Sequence, residues 1–203
     1  MLLNLRNYNN YSVVLCGILR VTHMTENIFV VIPSLNPDEK LENTVRGMLN
    51  TGFSKIIIVN DGSNEEHLKY FPNSDDKITV IHRSRNCGKG AALKFAFRYI
   101  LKNFSNVEGI VTVDGDGQHT PEDVLACVTA LNSIGKGAVL GCRNFSGKNV
   151  PKRSRMGNHI TSAVFKVICG MTLSDTQTGL RAFPASLLPN LIILTEFYFF
   201  RTG

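Results

Sequence analysis

Residues 109–119 read GIVTVDGDGQH. The run Gly109 to Val113 is short and apolar, and it stops at once in Asp114-Gly115-Asp116-Gly117. An apolar run of that length, closed by Gly and Asp, reads as a buried strand running into a turn. Two carboxylates at i and i+2, just past a buried strand, can converge on one divalent cation. Oxygen donors from Asp114, Asp116 and Gln118 suit Mg²⁺ or Mn²⁺, with phosphate oxygens completing the shell. Asp and Gly also favour turns for local reasons, and for a lone D-x-D the turn is the better reading.

Two other readings of this stretch fail on spacing. A calcium EF-hand loop needs Gly at its sixth position and Glu at its twelfth, where this chain has His119 and Leu125. A phosphatase of the haloacid dehalogenase type expects Thr or Val at the fifth position, where Gln118 stands.

Strands and helices alternate on both sides of the stretch. Asn27–Ile32 (NIFVVI), ending at Pro33, Lys55–Val59 (KIIIV), Ile78–Ile81 and Ala138–Cys142 read as further strands. A helix is expected from about Pro37, with Leu41, Val45, Met48 and Leu49 on one face and Gly52 after its end. Another carries Leu93, Ala96, Phe97, Ile100 and Phe104. A third opens with Thr120 as N-cap and Pro121 at its first position, and turns Val124, Leu125, Val128 and Leu131 inward. A longer helix is expected over Ser154–Cys169. The fold class is therefore α/β, with a mostly parallel central sheet covered on both faces. Such sheets bind ligands beyond the carboxyl ends of their strands.

Further polar segments fall at those ends. Asp61, in Asn60-Asp61-Gly62-Ser63, can accept hydrogen bonds from a nucleobase or ribose, though an Asx turn explains it equally well. Asn86-Cys87-Gly88-Lys89-Gly90 opens a helix and exposes N–H groups that favour an anion. It lacks the first glycine and the final hydroxyl of a Walker A loop. Arg143 follows the fifth strand, and Asp175-Thr176-Gln177-Thr178-Gly179-Leu180-Arg181 follows the long helix.

Bulk properties bound the partners. The chain has 203 residues, 43% hydrophobic and 19% charged, with a net charge of +6. That suits one globular domain with anionic partners. The basic residues are scattered, so no nucleic-acid partner is expected. Five cysteines without a C-x-x-C support neither a disulfide framework nor a zinc site. The apolar run Tyr11 to Val21 is too short to span a membrane. Residues 1–26 are expected to form an extension outside the fold, with Met24 as a natural start.

Taken in order, strand–Pro33, strand–Asp61, the Gly88-Lys89-Gly90 helix start, Asp114-x-Asp116-x-Gln118, strand–Arg143 and Asp175–Arg181 resemble glycosyltransferase family 2. The runs VDGDGQH and DTQTGLRAF resemble in particular the enzymes that load a sugar onto polyprenyl or dolichyl phosphate. The resemblance covers about Ile28 to Pro189. It implies a GT-A fold, a Rossmann-like sandwich over residues 27–189. It also implies inverting, metal-dependent transfer of a sugar from a UDP- or GDP-sugar donor to an acceptor, most naturally a polyprenyl phosphate. Pro33, Leu35, Val59 and Asp61 would line the nucleoside pocket, with Lys89 and Gly115 also at the donor. Asp114 and Asp116 would hold the donor and its metal, with Gln118 as a further metal ligand. Arg143 would meet phosphate, and Asp175 and Arg181 would lie near the acceptor. Asp175 would serve as base if the acceptor were a hydroxyl. Location would be cytoplasmic, with peripheral contact at the cytoplasmic face of a membrane. No oligomeric state follows.

Three departures stand out. Many relatives have Tyr at Leu35 and Glu at Pro37. After Pro189 the chain reads NLIILTEFYFFRTG, where relatives continue with an acidic segment and amphipathic or membrane-spanning helices. Residues 190–203 are thus expected to be an atypical, truncated tail. The alternative is an incomplete or inactive nucleotide-sugar-binding fragment that needs a partner. A third reading uses the D-x-D carboxylate as a phosphoryl-transfer nucleophile.

Overall fold

The computed structural model describes residues 25–134, 137–141 and 179–193. Six strands form one sheet: β1 (Ile28–Ser34), β2 (Ile56–Asn60), β3 (Ile78–His82), β4 (Gly109–Thr112), β5 (Val139–Leu140) and β6 (Arg181–Pro184). Their spatial order is β3-β2-β1-β4-β6-β5. β3, β2, β1 and β4 run parallel, while β6 lies antiparallel to both β4 and β5. Among the described residues four α-helices accompany them: α1 (Glu39–Asn50), α2 (Lys89–Asn103), α3 (Pro121–Ile134) and the short α4 (Leu188–Ile193).

Alternation along the strands builds two apolar layers. Val30, Ile32, Ile56, Ile58 and Val111 point to the face covered by α1 and α3, where they meet Leu41, Met48, Val124 and Val128. Phe29, Val31, Ile57, Val59 and Ile110 point to the other face, against Leu93, Ala96, Phe97 and Ile100 of α2 and Leu188 of α4. Because both faces are covered, residues 30–32 and 56–59 are fully buried. That explains why these strands read as continuous apolar runs.

The helix starts follow their caps. α1 begins at Glu39 rather than near Pro37, because Asp38 is the N-cap and accepts from the Lys40 N–H at 2.9 Å. At α3, Thr120 and Asp123 cap each other: the Asp123 N–H donates to Thr120 Oγ1 at 3.2 Å, and the Thr120 N–H to the Asp123 carboxylate at 3.4 Å. On α3, Cys127 is fully buried and Leu125 only half-buried, so the inward stripe is Val124, Cys127, Val128 and Leu131.

Three features correct or extend the sequence reading. The fifth strand is shorter than expected, Val139–Leu140. β6 is an element the sequence reading does not contain, and it places Arg181, 8% exposed, inside the sheet. Packing also reaches past residues 27–189. Thr25 is fully buried and donates to the Gly52 carbonyl at 3.0 Å, and Leu191 joins the apolar layer under α2. The expected helix Ser154–Cys169 lies outside the described residues. Among the described residues, no helix is long and apolar enough to cross a membrane.

Phe97 is fully buried at the centre of the α2 layer. Phe97→Ala should lower the unfolding free energy by about 3–5 kcal/mol in a denaturant titration; a loss under about 1 kcal/mol would contradict this packing.

Candidate functional site

The parallel strands finish side by side, and backbone hydrogen bonds carry their register past the last paired residues. The Asp61 N–H donates to Ser34 O at 2.9 Å, Val113 N–H to Val31 O at 3.0 Å, and Arg83 N–H to Asn60 O at 2.9 Å. Asp61, Arg83 and Asp114 therefore emerge along one edge of the sheet.

Asp114 follows β4 and is half-buried. The Lys89 ammonium, from the first residue of α2, sits directly on its Oδ1. His119 Nε2 lies 3.9 Å from its Oδ2, with the imidazole only 9% exposed. Burial alone would push this carboxyl up. The His119 contact and the Lys89 charge outweigh that and bring it down to about 2. Gly115 crosses the core edge closely: a Cβ there would stand 3.1 Å from Leu41 Cδ1 and 3.4 Å from Ile32 Cγ2. Asp116 is exposed and closes an Asx turn, accepting from the Gln118 N–H at 3.0 Å and from Gln118 Nε2 at 2.5 Å.

Asp61 is only 3% exposed. Its Oδ1 accepts from Arg83 Nη1 at 2.5 Å and from the Cys87 N–H at 3.4 Å. Gly62 (φ +78°) presses the β2 turn onto the loop before α2, since a Cβ there would fall 2.5 Å from the Arg85 carbonyl carbon. That loop ends at Gly88, the N-cap of α2, which offers no side-chain hydrogen bond to the first turn. Free N–H groups at a helix start favour an anion. The β1 loop is tied to the β2 loop: the Asn36 N–H donates to Ser63 Oγ at 2.8 Å, and the Asn64 N–H to Asn36 Oδ1 at 2.9 Å. Leu35 on this loop is 44% exposed and Pro33 is half-buried.

The structure thus brings Asp61, Lys89, Asp114, Gly115, Asp116 and Gln118 to one edge, with Pro33 near the end of β1 and Leu35 on the loop that follows it. Val59 is different: it is fully buried in the layer under α2, so only its backbone faces the strand end. Arg181 is buried in β6. Arg143 and Asp175 lie outside the described residues. The sequence reading missed Arg83 and His119. Arg83 follows β3 as Asp61 follows β2, so its position relative to a strand end was the available signal.

A family model described as "Glycosyl transferase family 2" matches residues 29–188. The chain belongs to glycosyl transferase family 2. Its relatives agree with the expected kinship. It is 28% identical over 179 residues to a UDP-N-acetylglucosamine–dolichyl-phosphate N-acetylglucosaminyltransferase of Methanococcus voltae, covering 79% of this chain and 70% of that one. It is 28% identical over 169 residues to an undecaprenyl-phosphate mannosyltransferase of Micrococcus luteus, covering 79% and 68%. The polyprenol monophosphomannose synthase of Mycolicibacterium smegmatis is 26% identical, over 82% of this chain and 65% of that one. Among solved structures, glucosyl-3-phosphoglycerate synthase from Mycobacterium tuberculosis, in complex with Mn²⁺, UDP-glucose and phosphoglyceric acid, superposes with a TM-score of 0.61 at 18% identity, over 89% of this chain and 64% of that one. The fold is GT-A. The chain spans roughly two thirds of the length of these proteins, from 64% to 70%.

The electrostatics give two expected outcomes. The Asp114 carboxyl is lower folded than unfolded, so its ionised form stabilises the fold above the ordinary carboxylate range. That stabilisation falls away as pH drops from about 4 through about 2. Wild type should lose about 1–2 kcal/mol more than Asp114→Asn across this window, measured by denaturant unfolding at stepped pH. Separately, Arg83→Met leaves the buried Asp61 without its cation and should cost about 3–5 kcal/mol of stability. Unchanged thermal unfolding of that variant would refute the pairing.

Proposed function

We propose that this chain binds a nucleotide-sugar donor, a UDP- or GDP-sugar, and transfers the sugar with inversion to a polyprenyl phosphate. The observation that carries the reading is the convergence of Asp61, Lys89, Asp114 and Asp116 at the carboxyl edge of the parallel strands, in a family 2 chain.

In this reading the β1 and β2 loops, with Leu35, Pro33 and the Asp61–Arg83 pair, receive the nucleoside. Lys89 and the uncapped start of α2 face the diphosphate. The donor set on the β4 loop fits an oxygen-preferring divalent ion. Two carboxylates and the Gln118 amide lie within five residues, Asp114 to Gln118, and Asp116 is exposed. Among the described residues no three His, Cys, Asp or Glu side chains form a metal cage. Such an ion would be held by one or two carboxylates plus ligand phosphates, as Mg²⁺ and Mn²⁺ commonly are. Bound there, it would neutralise charge developing on the departing nucleoside diphosphate.

Transfer builds positive charge on the anomeric carbon as the diphosphate leaves. A lipid phosphate attacks through an oxygen that is already anionic, so no strong base is required. A hydroxyl acceptor would need one, and Asp175 is the candidate. The acceptor class is supported by the relatives that use dolichyl and undecaprenyl phosphate. Such an acceptor supports peripheral contact with a membrane, in this reading at its cytoplasmic face.

Calorimetric titration of UDP- and GDP-sugars with Mn²⁺, and again with chelator, tests the reading. One donor should bind in a metal-dependent way, and Asp116→Ala should weaken it about tenfold or more. Binding without transfer to a polyprenyl phosphate would favour a donor-binding fragment that needs a partner. No binding by folded protein to any donor would sink the proposal.

A further inference from the structure

Gly179 belongs to the run Asp175–Arg181 and is buried just before β6. Its carbonyl accepts from Thr112 Oγ1 at 2.7 Å in a buried hydrogen bond across the sheet, and the same hydroxyl lies 3.4 Å from the Arg181 carbonyl. A Cβ on Gly179 would collide with three atoms of one side chain, the Cγ, Oδ1 and Oδ2 of Asp114. The backbone at Gly179 does not take the positive φ that reserves a position for glycine, unlike Gly62, Gly88 or Gly117. Glycine is needed here for space and not for conformation. The Asp114 carboxylate is therefore boxed. The bare Cα of Gly179 presses on it, Lys89 holds Oδ1, and His119 stands 3.9 Å from Oδ2.

We propose that Gly179 is a positioning residue for the donor site: its bare Cα is the wall that sets the orientation of the Asp114 carboxylate, and the Thr112 hydroxyl clamps that wall in place. The consequence for donor binding rests on the function proposed above; the wall itself does not. Lys89 comes from α2, Asp114 from the β4 loop and Gly179 from the entry to β6, three segments distant in sequence. A methyl group at Gly179 has to rotate or displace the carboxylate, or else the backbone retreats at the expense of the Thr112 bond. Sub-ångström to ångström misplacement of a charged group is enough to change binding and turnover strongly.

A double-mutant cycle between Gly179→Ala and Asp114→Ala tests this with two readouts. The first is the thermal midpoint. Gly179→Ala should lower it by several degrees in the wild-type background and by much less in the Asp114→Ala background, where the space is vacated. The second is calorimetric binding of UDP or GDP, whichever wild type binds, with Mn²⁺. Gly179→Ala should weaken it about tenfold or more in wild type and add nothing once Asp114 is gone. Thr112→Val keeps the shape of the clamp without its hydroxyl, and should weaken binding of that nucleotide while the protein stays folded. Should Gly179→Ala fail to fold alone, recovery of folding in the double variant supports the wall by itself. Equal effects of Gly179→Ala in both backgrounds, on both readouts, would overturn the proposal. If wild type binds neither UDP nor GDP with Mn²⁺, the donor reading falls, and the thermal cycle alone decides for or against the wall.

Discussion

β1 has a parallel partner on each side, β2 and β4, and the arrangement of polar groups depends on that pairing. Parallel neighbours end at the same edge, so the loops that leave them are forced together. Below the edge, residues 30–32 and 56–59 are fully buried and present no polar side chain. Polarity begins abruptly at the strand ends, with Asn60 4% and Asp61 3% exposed. A dry floor beneath polar groups raises the strength of every charge interaction above it.

Two ion pairs use that setting in the same way. Asp61 takes its cation from the residue after β3, and Asp114 takes its cation from the first turn of α2. Each pair links one strand end to a loop that is distant in sequence, so it fixes loop geometry as well as neutralising charge. Removing one partner would strand the other in a poorly solvated place, which is why such pairs are costly to break even when they add little to net stability. The difference between them is accessibility. The Arg83 and Asp61 side chains are 18% and 4% exposed, while those of Lys89 and Asp114 are 28% and 29% exposed. The first pair is the more deeply buried of the two, and the second is the more open to solvent.

The sheet was legible in the sequence because strands buried on both faces leave unbroken apolar runs, as in KIIIV at residues 55–59. The cap at Thr120 was legible because its chemistry is local. β6 was not legible: RAFP is four residues long, ends in proline, and follows a polar motif that draws attention to itself. The same holds for the pairing of Asp61 with Arg83. Arg83 and Arg85 are indistinguishable by type and neighbourhood, and only strand register selects one. Gly179 carried no reading of its own within the Asp175–Arg181 run, because its constraint is a carboxylate contributed by Asp114, distant in sequence.

That separation bears on the order in which the molecule assembles. β2 and β3 follow β1 in sequence and pair in that order, whereas β4 joins β1 only by bringing Gly109 back to Ile28. β6 must then add beside β4, closing a loop that separates Thr112 from Gly179 by 67 residues. Long closures are slow, because the entropy of bringing the ends together is lost before any contact rewards it. Until that strand docks, Asp114 has Lys89 and His119 for company but no wall, and β4 has an open edge. β6 thus does two things at once: it covers the edge of β4 and sets Gly179 against the Asp114 carboxylate.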